Sequence, residues 1–98
     1  VSINYINRDY FDFKHDYMFD EIITNMPVFD SREETDKFYN IFFKKTESIL
    51  KKYGIMLLYS GEKNIIKKYL RLNDNFKLLR EFVINEREGN FEFIIGRN

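Results

Sequence analysis

Polar and apolar positions change period several times along the 98 residues, and each change marks an element. Val1 to Ile6 alternates, with Val1, Ile3 and Tyr5 on one side and Ser2, Asn4 and Ile6 on the other, as a strand does. Asn7, Arg8 and Asp9 break the alternation and leave a carboxylate just past the strand end. Tyr10 to Met18, which includes His15, mixes aromatics with charges and reads as a loop or a short helical turn. The run from Phe19 to Thr24 predicts a second strand. Its Ile22 and Ile23 form the short apolar run of a strand buried on both faces. That run stops at a polar Asn25, followed at once by Met26, Pro27, Val28 and Phe29.

The spacing then turns helical. Ser31 followed three residues later by Glu34 is a capping box, each side chain serving the other residue's N–H. Phe38, Phe42, Ile49 and Tyr53, with Tyr39, Phe43, Thr46 and Leu50 alongside, form one apolar stripe, which predicts a helix from Arg32 to Tyr53. Gly54 is placed to give its left-handed C-cap, and Lys51 and Lys52 lie beside its carbonyl pole. Ile55 to Tyr59, apolar without alternation, suits an interior parallel strand covered by helices on both sides. Ile65, Ile66, Tyr69, Leu70 and Leu72 give a shorter helix ended by Asn73, Asp74 and Asn75. From Phe76 the period becomes two, with Phe76, Leu78, Phe82 and Ile84 on one face. Glu86 to Asn90 reads as a hairpin loop, and Phe91, Phe93 and Ile95 as the last strand. The predicted order is strand, strand, helix, strand, helix, strand, strand.

Composition narrows the chemistry. Sixteen acidic and sixteen basic residues balance, so no overall field draws nucleic acid or an anionic membrane. With no cysteine and one histidine, disulfides and thiolate metal sites are excluded and little is left for metal chemistry. His15 reads as a surface or loop residue. The lysine pairs Lys44-Lys45, Lys51-Lys52 and Lys67-Lys68 read as solvated helix faces. No apolar run approaches the roughly 18 residues that span a bilayer, so the expectation is a cytoplasmic protein without a membrane partner.

The order of elements and the Asn25-Met26-Pro27-Val28 stretch together resemble the C-terminal half of the class I, S-adenosylmethionine-dependent methyltransferase fold. The Asn-Pro-Pro-aromatic tetrapeptide of the amino-methyltransferases falls on Asn25 to Val28, after a strand that begins with Asp20. The spacing from Arg8-Asp9 through Phe19-Asp20 to Thr24-Asn25 is most similar to the RNA methylases associated with THUMP domains, which are also like the N6-adenine DNA methylases. The resemblance covers nearly all of the chain but about half of the family's catalytic domain. The fold it implies is α/β: the C-terminal half of a Rossmann-like sheet, mostly parallel, with helices and a terminal antiparallel hairpin.

The resemblance also implies roles. Asn25, through its side-chain oxygen, and the backbone carbonyl of Met26 would accept the two hydrogens of an exocyclic base amine, with Pro27 stiffening the turn. Val28 stands where the family has the aromatic that stacks on a displaced base, and Phe29, one position later, is the candidate substitute. Asp9 would contact the cofactor adenine, and Tyr10 would flank it. Three departures from the pattern stand out. Met26 replaces a proline, which costs the loop rigidity; Val28 replaces an aromatic; and the scattered Gly54, Gly61, Gly89 and Gly96 form no cofactor loop.

The resemblance therefore implies part of a methyltransferase acting on an amino group in RNA, with guanine N2 as the first choice. The alternative within enzymes is DNA adenine N6, and a silent α/β interaction module remains as a different class. The fragment alone is expected neither to bind S-adenosylmethionine well nor to turn over. Its expected partners are RNA, the absent N-terminal half of the domain, and a second copy or a swapped strand at the bare edge of the Ile22-Ile23 strand.

Overall fold

A computed structural model describes residues 18–98. The expected strand Val1 to Ile6, together with Asp9, Tyr10, Phe11 and His15, lies outside the described residues. Six elements follow in order: β1 (Phe19–Asn25), α1 (Arg32–Ile49), β2 (Leu50–Ser60), α2 (Lys63–Leu72), β3 (Phe76–Asn85) and β4 (Asn90–Arg97). The strands make one sheet in the order β1-β2-β4-β3.

That sheet is mixed rather than mostly parallel. β1 pairs with β2 in parallel, while β4 is antiparallel to both β2 and β3. The parallel pair exists because α1 carries the chain back to the starting end, whereas the short turn between β3 and β4 can only reverse direction. α1 and α2 cover one face, where Tyr39, Phe42, Ile49, Met56, Leu58 and Phe93 are almost fully buried. An aromatic path runs through this layer. Phe42 and Phe43 stand 5.7 Å apart, and Phe43 meets Phe76 of β3 at 5.8 Å and Tyr69 of α2 at 6.0 Å.

The other face differs from expectation. Among the described residues β1 and β2 are covered on one side only: Ile22 is 9% exposed, but its neighbour Ile23 is 53% exposed and Ile55 40%. An apolar run without alternation does not say whether anything covers its second face.

α1 is shorter than its apolar stripe suggests. It ends at Ile49 because Leu50 takes extended backbone while its N–H still bonds the Thr46 carbonyl. Lys51 to Gly54 then bulge out of the sheet: Phe19 pairs with Leu50 and Glu21 with Ile55, two steps on β1 against five on β2. Tyr53, expected in the helix stripe, sits in this bulge 78% exposed. It is also the left-handed residue, with φ 69°, in place of the expected Gly54. Gly54 is needed for a different reason. A Cβ there would lie 2.7 Å from Leu50 Cδ1 and 2.8 and 2.9 Å from the Lys51 and Asp20 carbonyl oxygens.

β3 also departs from simple alternation. A register shift between Leu78 and Arg80 inserts one residue, so Phe76 and Leu78 face the helices while Phe82 passes to the open face. Glu81 is thereby turned toward α2, where Lys63 and Lys67 meet its carboxylate at 3.1 and 3.2 Å. No helix of the described residues is long and apolar enough to cross a membrane.

Candidate active site at the sheet rim

Parallel β1 and β2 end at the same rim, and β4, running the other way, begins there. Asn25, Tyr59 and Glu92 form one register row across these three strands, and Ser60 pairs with Phe91 just beyond it. Three connections meet at this rim: the segment from Asn25 to Ser31, the turn from Ser60 to Glu62, and the β3–β4 hairpin. The hairpin tip rests on the turn, since a Cβ on Gly61 would come within 3.0 Å of the Gly89 carbonyl oxygen.

Asn25 is the last residue of β1 and is exposed. Its backbone carbonyl takes a long 3.4 Å bond from the Thr24 hydroxyl, while its side-chain amide has no hydrogen-bond partner among the described residues. A turn asparagine usually bonds its own backbone, and this one does not. Met26 is fixed twice: its side chain is buried in the core, and its N–H donates to the Tyr59 carbonyl at 2.9 Å. Its own carbonyl accepts nothing among the described residues. Methionine in place of proline is therefore held by its N–H and by its buried side chain. A proline here could not make the bond to Tyr59.

Pro27 and Val28 are exposed, Val28 at 95%. Phe29 is half-buried and lies tilted against Phe38 of α1, with ring centroids 5.1 Å apart. Its ring thus anchors the loop to the helix, and Val28 is the side chain that projects. Ser31 caps α1 by accepting the Glu34 N–H at 3.0 Å, which is one half of the capping box. On the other side of the cap, the Thr35 hydroxyl donates to the Ser31 carbonyl at 2.8 Å.

Behind the loop lies a hydrogen-bonded chain that no local pattern announces. The Tyr39 hydroxyl meets Ser60 Oγ at 2.6 Å, and Ser60 Oγ accepts the Glu62 N–H at 2.9 Å. The Glu62 carboxylate takes a two-point grip from Arg32 at 2.9 and 3.1 Å. Burial pushes the Tyr39 phenol up to about 12, with the Ser60 bond pulling weakly the other way, so it stays protonated. The only sequence signal for this chain is that a buried tyrosine in an apolar stripe needs a partner for its hydroxyl. Arg32 and Glu62 are thirty positions apart and give none.

Asn25, Met26, Pro27 and Phe29 share one loop at the rim, while Asp9 and Tyr10 lie outside the described residues. Among the described residues no strand is followed by a Gly-rich loop. The described residues offer no Gly-rich cradle for the methionine and ribose of S-adenosylmethionine.

No family model matches the chain, and no curated protein matches it in sequence. Among solved structures, it is similar to that of SMU.776, assigned as a methyltransferase and complexed with SAH, with a TM-score of 0.59 at 20% identity. The match covers 84% of this chain and 27% of that one. At that identity the likeness is one of fold: a mixed four-stranded sheet with two helices, similar to part of a methyltransferase, of which this chain spans about a quarter.

Proposed function

We propose that this chain is the target-amine side of an S-adenosylmethionine-dependent methyltransferase, its C-terminal half, acting on an exocyclic amino group of a base in RNA, with guanine N2 as the target. One observation carries the reading. Two hydrogen-bond acceptors in successive residues at the rim, the Asn25 amide oxygen and the Met26 carbonyl, have no partners among the described residues, while the Met26 N–H is bonded to Tyr59 and its side chain is buried. The fold likeness to a methyltransferase supports it.

An exocyclic amine is a poor nucleophile because its lone pair is delocalised into the ring. Two fixed acceptors that take its two hydrogens turn the nitrogen out of conjugation and aim the lone pair, which is orientation combined with electrostatic preorganisation. S-adenosylmethionine, held by the companion half, supplies the electrophilic methyl group. The Phe29-Phe38 contact, the Ser31 cap and the Met26-Tyr59 bond keep the acceptors from relaxing.

The test is Asn25→Ala in the enzyme joined to its cofactor-binding half, followed by methyl transfer to RNA. The expected result is a fall in kcat of about 100- to 1,000-fold with KM and unfolding midpoint nearly unchanged. A rate within about threefold of the parent would make Asn25 a turn residue and favour the silent interaction module. Transfer to DNA adenine instead would overturn the substrate while keeping the chemistry.

A further inference from the structure

α1 and α2 occupy one face of the sheet, and no element of the described residues lies on the other. We infer that the open face is closed by a second copy of this chain, packed face to face about a two-fold axis parallel to the strands. The inference rests on the sheet alone and is made of this chain by itself: Asn25 lies in the row that ends in Phe82, so the packing sets Phe82 of one copy opposite Asn25 of the other, and the two would have to part before the rim could take a base.

The centre of the face is apolar. Ile23, Leu57 and Ile94 form one register row, ending in Arg80 on β3, and Ile55, Leu79 and Phe82 flank it. Ile23 and Phe82 are 53% and 43% exposed, too much apolar surface in one place for a face that meets only water. Side chains of this size on two facing sheets fill the roughly 10 Å that separates aligned sheets.

Charge then selects the partner. The neighbouring row runs Glu21, Ile55, Gly96, Lys77, acidic at the β1 end and basic at the β3 end, with Arg80 next to Lys77. None of these three charges has an ion-pair partner among the described residues. Rotation about a strand-parallel axis lays β1 of one copy over β3 of the other and β2 over β4. Glu21 of each copy then falls opposite Lys77 of the other, twice per dimer, over an apolar centre that packs on itself. The face is complementary to itself in a way a chance apolar patch is not. The β1 edge suits a second copy less well, because adjacent Asp20 and Glu21 carboxylates guard it.

Sedimentation of the purified chain from about 1 to 200 µM tests this. The wild type is expected to be a dimer at the upper end and to dissociate on dilution. Ile23→Lys is expected to be monomeric throughout, with an unchanged circular dichroism spectrum. Glu21→Lys and Lys77→Glu should each weaken the dimer about tenfold, and the double swap should return the affinity to within about threefold of wild type. The surface swaps decide the matter even if Ile23→Lys folds poorly. A monomer at the highest concentration overturns the inference, because some other body then closes the face. A dimer that survives both single swaps also overturns it, since pairing through the β1 edge brings no β3 residue near Glu21.

Discussion

At the scale of single residues, backbone conformation matters as much as side-chain chemistry. Tyr53 holds φ 69° with its side chain in solvent, a conformation that costs an L-residue roughly 1 kcal/mol more than glycine. Its ring meets Lys52 Nζ, 5.2 Å from the centroid, on an exposed surface. Tyr53→Gly is therefore expected to raise the stability of the chain by about 1 kcal/mol, read as a higher urea midpoint at unchanged slope. A lower midpoint would mean that the ring makes a contact worth more than the strain. Met26 shows the same logic in a favourable sense. Its N–H ties the loop to the Tyr59 carbonyl, a bond that the proline of the family pattern could not make.

At the scale of elements, ion pairs join helices to one another and to the sheet. Lys68 bonds Asp36 between α2 and α1 and draws the Asp36 carboxyl below its ordinary range. Glu81 of β3 feels burial pushing its carboxyl up, but Lys63 and Lys67 of α2 together outweigh it and leave it below the ordinary value of 4.5. A carboxylate depressed in the folded state contributes stability that is full above its unfolded value and is lost as pH falls through its folded value. Glu81→Gln should therefore destabilise the chain by about 1 kcal/mol at pH 6, with a gap that narrows below pH 4.5 and closes at lower pH. Denaturant titrations at several pH values check this, and a gap independent of pH would assign the loss to packing rather than charge.

At the scale of the whole molecule, the described residues make one covered face, one open face and a rim with two unengaged acceptors. They lack the loop that would cradle a cofactor. Calorimetry of the 98-residue chain with S-adenosylmethionine is expected to show no saturation up to about 1 mM. Micromolar binding would place the cofactor site within this chain and overturn its assignment as the target side alone.

What the sequence determined by itself is local: where the period of apolar residues changes, where Ser31 starts a helix, and where Asn25 and Pro27 interrupt a strand. These follow from neighbours within a few positions, so β1, α1, α2 and the β3–β4 hairpin were legible, and so was the placing of Asn25 at a strand end. Tertiary structure decided the rest, because each remaining feature depends on residues far apart along the chain. Pairing of β2 with β4 made the sheet mixed, and the bulge at Lys51 to Gly54 ended α1 early and turned Tyr53 outward. One inserted residue in β3 sent Phe82 to the opposite face from Phe76. The open face has no local signature, and of the Tyr39-Ser60-Glu62-Arg32 chain only the need of a buried tyrosine for a partner was legible. A period says which side chains share a side of an element, and only the packed fold says what that side meets.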